Sequence, residues 1–536
     1  ANPNAVIPLP DPTSVSNPRG SVIIDGHTAY VSSFGTYDSN FNFVYPTIVI
    51  PTLVRTGTGA IDITAAGNVA FIDQTAPGAI YTAGHIESTP VDFRAPSMAA
   101  MYLATPNGLV GQPNWSSGGG AVTISAGGSI IGIETPTDDG NGSQFGVPNG
   151  PTGQFWSPWY FGFGQATGTA TPFSSCGIFL ATCQTAAWIN FNTFFQGVGA
   201  LGGGNVTLIA GGDIVDIGAS LPETLVVGGG TGVPNRNGNV NGPTVTYYGG
   251  GNLAVKADGN LLSSNFLVGR GTGLIQVGGS VTVDPSNPIT GLPTVLQQLD
   301  GSNNVAGTVP LPLLLAVQDG FVRIAARGAI ALGNVFDPAS LPSDSGWRTP
   351  FGAMPGSNSN GVHDAWNQYF TTYGPGSGVS LTSTAGDVTA LTIARDDSAS
   401  GNTTGLFLHN NSTIGAVGLL LPATLDLISL QGNVDLTAAT AQATLVSVPT
   451  QAGDDTGTIT LVAGQSIRLG AGLVMQDPAT TSSQYIGNGA GSDQYGGTIG
   501  YRSSYISPLG LVPPSLTQAL HANDPDPVVI AAGQDI

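Results

Sequence analysis

The sequence predicts an all-β chain on three observations. A nine-residue phrase recurs, apolar residues alternate within it, and composition favours strands and corners over helices. The phrase opens on a large apolar residue, alternates, reaches a small residue, takes a glycine step and ends on another large apolar residue. It reads IDITAAGNV over 61–69 and VTISAGGSI over 122–130, and further copies begin at Val206, Leu253, Val322, Ile459 and Val528. Looser versions lie near Val379 and Leu427, and a shortened one runs IQVGGSV over 275–281.

Each part of the phrase has a physical reading. Apolar residues or Ala at positions 1, 3 and 5, with mostly polar ones between, give the period of a half-buried strand. Glycine at position 6 or 7, beside Asn, Asp, Ser, Ala or Gln, suits a corner that needs positive φ. A second short strand starts at position 9. Strand, glycine corner and strand, repeated with no helical segment between, predict a right-handed parallel β-helix, a β-solenoid whose coils have a core only when stacked. The spacing from Leu253 to Ile275 suggests coils of about 22 residues, and ~15 coils at ~4.8 Å each would make a rod of roughly 70 Å. Wider gaps hold degenerate coils or loops inserted at solvent-facing corners, where insertion is tolerated.

Along the chain, residues 1–56 read as an N-terminal segment of degenerate coils, and 57–536 as the shaft. Two insertions differ from it in composition. Residues 133–203 carry Trp156, Trp159, Tyr160, Trp188 and both cysteines, and residues 337–378 carry Trp347 and Trp366. The rod interior is aliphatic, so these aromatics are not core rungs. They form either a glycan- or partner-binding platform or caps packed on the outer wall. The chain closes on VVIAAGQDI over 528–536, one whole phrase, and begins without Met. An open solenoid edge normally needs a cap, so the expectation is a piece of a longer protein.

Composition narrows the function classes. Twelve Lys and Arg against 32 Asp and Glu give a net charge of −20, and Lys256 is the only lysine. Such a surface disfavours phosphate backbones and anionic membranes, so no nucleic-acid partner is expected. No stretch of about 18 apolar residues is present, so no transmembrane segment is expected. Cys176 and Cys183 are close enough to close a small disulfide loop in an oxidising compartment, with two free thiols as the alternative.

The phrases GGGNVTLIAGGDI at 202–214, AWINF at 187–191 followed by GVGALGG at 197–203, and VGRGTG at 268–273 resemble the filamentous-haemagglutinin-type large exoproteins of Gram-negative bacteria. The similarity runs from about residue 57 onward. It implies a right-handed β-helix, two-partner secretion through an outer-membrane pore, and adhesion at the cell surface. The family's N-terminal secretion domain carries Asn-Pro-Asn motifs. Asn2-Pro3-Asn4 and Pro106-Asn107-Gly108 echo them, but the residues around them do not follow that domain, so the segment reads as downstream shaft.

Residues that could carry chemistry are few and dispersed. Polysaccharide-active β-helix enzymes cluster carboxylates on one wall, whereas Asp62, Asp213 and Asp535 do not recur at matched positions. The 137–143 run lacks calcium-loop spacing, and the five histidines are scattered. Ser343-Asp344-Ser345-Gly346 has no triad context, and the glycines of 269–273 follow no strand-to-helix turn. No catalytic residue, metal site or cofactor is predicted. The reading is a secreted, non-enzymatic adhesive or structural rod at the cell surface. Its partners would be the secretion pore, a glycan or surface receptor, or further copies of itself. A self-assembling filament or sheath and a polysaccharide-active enzyme are the alternatives.

Overall fold

The computed structural model describes residues 20–31, 36–37, 43–45, 47–86, 104–105, 108–109, 116–133, 160–165, 184–189, 196–228, 244–299, 305–336, 376–392, 403–404, 419–437, 443–446, 457–470, 473–476 and 528–535. The described chain is all β and contains no helix, so none is long and apolar enough to cross a membrane. Its centre is a large parallel sheet consistent with a β-solenoid.

The phrase builds this sheet directly. Ile61 pairs with Val122, Val122 with Val206, and Val206 with Leu253, and the ladder continues through Gly273, Val322, Val379, Leu425 and Ile459. Thr460 then pairs with Val529, so every copy stacks at the same phase. These first strands form one face of the rod, and the strands that open at Val69, Ile130, Ile214, Leu261, Val281, Ile330, Val388, Val434 and Ile467 form a second. A third ladder joins Leu53–Thr56, Gly78–Thr82, Gln196–Ala200, Gly218–Leu221, 265–268 and 314–317.

Alternation fills the interior. Val206, Leu208 and Ala210 are buried while Thr207 and Ile209 face outward, and the same pattern holds at 253–257 and 322–326. A one-residue slip would expose the whole apolar set, which fixes the register. Each fully buried Val, Leu or Ile is worth about 1.5–3 kcal/mol relative to exposure.

Three expectations need correction. The shortened copy is full length, because its first position is Gly273, where a side chain would come 3.1 Å from the Val322 side chain and 3.4 Å from Val268. The copy near Leu427 starts at Leu425, so Leu427 is its third residue. The glycines of the phrase corners do not adopt positive φ. They are required by close approach: a Cβ at Gly127 would strike the Ala66 carbonyl oxygen, and one at Gly211 the Gly127 carbonyl oxygen. Positive φ belongs elsewhere, at Gly249, Gly250, Gly251 and Gly271, where chain enters or leaves the third face.

The corner between the first and second faces is uniform. Three residues make it at 66–68, 127–129, 211–213, 258–260, 278–280, 327–329 and 464–466, and four make it at 384–387 and 430–433. Position 5, otherwise Ala or Val, is Ser in both four-residue cases. The buried Ser383 hydroxyl accepts from the Gly386 amide and lies 2.7 Å from the carbonyl oxygens of Gly328 and Gly386, which share its one hydrogen, while Ser429 accepts from the Gly432 amide and donates to the Gly386 carbonyl oxygen. The hydroxyl satisfies the polar groups that the longer corner adds.

No long interval between described strands falls at the corner from the first face to the second. The long intervals run between 24 and 53, 82 and 122, 131 and 196, 221 and 253, 282 and 314, 336 and 378, 389 and 419, and 476 and 529. Ten first-face strands are described, fewer than an uninterrupted 22-residue spacing would give, because the intervals between most of them are longer. Strands Val22–Ile24 and Leu53–Thr56 belong to the first coil, and Gln196–Ala200 to the third face.

Candidate functional site

The excursions near the aromatic insertion assemble a four-stranded antiparallel sheet from Tyr160–Gln165, Gln184–Ile189, Glu223–Gly228 and Thr244–Gly249. Tyr160 pairs with Ile189 and Trp188 with Phe161, so two of the six platform candidates enter one sheet beside the rod. Trp156, Trp159, Trp347 and Trp366 lie outside the described residues. So do Cys176, Cys183, the 137–143 run and the Ser343 motif.

The side sheet leaves the rod at Glu223, which is 4% exposed. Its amide donates to Gln318 Oε1 at 3.0 Å, and Arg270 Nε lies 3.9 Å from Asp319 Oδ2. Burial first, and the Asp319 charge second, push the Glu223 carboxyl up to about 8, while Arg270 opposes them. Burial also raises Asp319.

A second polar site lies where the second face turns to the third. Asp216, 2% exposed, holds φ +50, a conformation non-glycine residues seldom adopt. Its Oδ2 accepts from the Thr294 hydroxyl at 2.6 Å and from Asn287 Nδ2. Asn287 Nδ2 also reaches the Gly132 carbonyl oxygen at 3.0 Å, and its Oδ1 accepts from the amides of Ile289 and Thr290. Asp284 accepts from the Ser286 amide, while its own amide donates to the Ser263 hydroxyl at 2.7 Å. Gly132, Asp216, Ser263 and Asp284 belong to four successive coils, so loop 283–294 ties these coils together from outside. Burial, offset by Thr294 and Asn287 and reinforced by Asp284, pushes the Asp216 carboxyl up to about 7.

This pair of carboxyls is enclosed by the loop, and its geometry is that of a staple across coils. Its partners are 71 and 78 residues away in sequence, so no local pattern announces it. One carboxylate reading changes here: Asp213, Asp387 and Asp535 do occupy one matched position, the last corner residue before the second strand. There Asp213 Oδ1 accepts from the Asn260 amide at 2.6 Å, and Asp387 Oδ1 from the Asn433 amide at 2.7 Å. They hold successive corners together. Among the described residues no group of three or more His, Cys, Asp or Glu could hold a metal ion.

No family model, curated protein or solved structure matches the chain.

Proposed function

We propose that the chain is the shaft of a secreted, non-enzymatic surface rod that mediates attachment to cells, surfaces or matrix. On this reading it is a right-handed parallel β-helix, since parallel strand crossovers take that hand in about 98% of cases. One observation carries the proposal: the corner between the first and second faces keeps three or four residues in each described coil, while every long interval between strands falls elsewhere. A repeating shaft that keeps one corner constant and confines its variable length to the rest of the coil is suited to reach and display. Its stability grows coil by coil, so length costs no larger core. The resemblance to filamentous-haemagglutinin-type exoproteins supports export through an outer-membrane pore, and the net charge of −20 keeps neighbouring rods apart.

Binding to cultured cells and to a glycan array tests this function. Replacing Trp156 and Trp159 together by Ala should lower binding about tenfold or more, the loss expected of aromatic anchors. Unchanged binding in that variant would remove the platform from the proposal. Release of sugars from acidic polysaccharides by the purified protein would overturn its non-enzymatic part.

A further inference from the structure

Loop 283–294 does more than follow the rod. It folds back along the outside of the second face, and Ile289 packs against a small apolar cluster of Ala70, Ile131 and Val215, with Leu262 beside it. By strand alternation these residues point away from the core, since their neighbours Val69, Ile130, Ile214 and Leu261 are the inward ones. Val215 is nonetheless only 2% exposed. An outward Val is therefore kept dry by chain folded over the face.

The polar half of the same loop is short of one hydrogen. Asp216 Oδ1 and Asp284 Oδ2 are both buried without a hydrogen-bond partner. The Thr294 hydroxyl has a single hydrogen, which it gives to Asp216 Oδ2, yet it also lies beside the Asp284 carboxyl. Two adjacent carboxylates in a dry site repel, and one proton between them removes the repulsion and supplies the missing donor. The charges acting on the pair are their own and that of Asp213, which raises Asp284. The other groups facing them are Asn287, Ser263, Ser286 and Thr294, all neutral.

We propose that loop 283–294 is a proton-dependent clasp: a proton held by the Asp216–Asp284 pair keeps the loop seated over the apolar stripe at Ile131, Val215 and Leu262, and loss of that proton lets the loop lift and uncovers the stripe. The loop's internal bonds allow it to move as a unit, since the Asn287 amide donates to the Leu292 carbonyl oxygen and the Gly291 amide to that of Asn287, both at 2.8 Å. Its attachment rests on Asp216, Asp284, Ser263 and the Gly132 carbonyl oxygen.

Hydrogen exchange read by mass spectrometry on the whole chain tests the clasp. Peptides over 283–294 would be compared at pH 5.5 and pH 8.5 after correction for intrinsic exchange, with 265–268 of the rod as reference. The expected result is protection of the loop that falls about tenfold or more at pH 8.5, since each pH unit beyond a titration shifts the balance about tenfold. The reference strand should stay protected. In Asp216→Asn, which keeps the shape and removes the charge, loop protection should become independent of pH. Equal protection of the wild-type loop at both pH values would overturn the proposal. So would equal loss in the reference strand, which would mean global opening. A pH response that survives in both Asp216→Asn and Asp284→Asn would overturn the assignment to this pair.

Discussion

The amide of Asn260 donates to Asp213 Oδ1 at 2.6 Å, across 47 residues of sequence and a single step of the rod. The bond is one link of a corner ladder in which a side-chain oxygen of one coil accepts from the main chain of the next. Ser21 serves Asn68, Asn68 serves Ser129, Ser129 serves Asp213, and Asn260 serves Ser280. Above the Ala329 coil the ladder resumes from Asp387 to Asn433 and from Asn433 to Ser466. Replacing Asp213 by Ala removes the acceptor for a partly buried amide and should cost about 1–3 kcal/mol. Asp213→Asn, which retains an oxygen acceptor, should cost less. Denaturant unfolding of the two variants separates them.

Core burial predicts a contrast on neighbouring strands. Leu208→Ala should destabilise by about 2–5 kcal/mol, whereas Lys256→Ala, on the outward side of the next strand, should stay within about 0.5 kcal/mol. Equal effects would contradict the inward and outward assignment.

The serine of a four-residue corner is expected to be specific to it. Ser383→Ala leaves the Gly386 amide and two carbonyl oxygens without that hydroxyl, and should lower stability by about 1–3 kcal/mol. Ala126→Ser, at the matching position of a three-residue corner, should bring no compensating gain. Thermal melts of the two variants check this.

Stability should fall as pH rises through neutrality. Folding raises Asp216 from 3.8 to about 7 and Glu223 from 4.5 to about 8, so between those values the folded chain holds protons that the unfolded chain releases. Their neutral forms stabilise fully below the ordinary carboxyl range, and the contribution is lost progressively up to about pH 8. The melting temperature should therefore be higher at pH 5.5 than at pH 8.5, and Asp216→Asn should reduce that difference. A wild-type melting temperature that rises over this interval would contradict the assignment.

The rod was legible where the sequence alternates, because period two and a glycine corner are local. The copy at Gly273 was obscured because its first position is filled by Val268 and Val322 rather than by its own side chain. The copy at Leu425 was misphased because Ser429 replaces Ala and its corner carries one more residue. The corner glycines were visible but misread: close approach between coils is a property of the stack, and a single phrase carries no sign of it. The partners of Asp216 could not be read, since Asn287 and Thr294 meet it only after the coils have stacked. One signal was available, a charged residue directly after Ile214-Val215, where other coils carry Gly132 or Ser263.

Register is the claim on which everything else stands, and cross-linking tests it most directly. Thr123 and Thr207 are paired across adjacent coils of the first face, so cysteines placed there should form a disulfide on mild oxidation, at the ~4.8 Å strand spacing that such a bond tolerates. Thr123 with Ile209, two residues out of register, should not, because the separation then exceeds about 7 Å. Peptide mapping that finds the 123–207 link and no 123–209 link is the predicted result. Efficient linkage of 123 to 209, or failure of 123 to link to 207, would contradict the in-register stack.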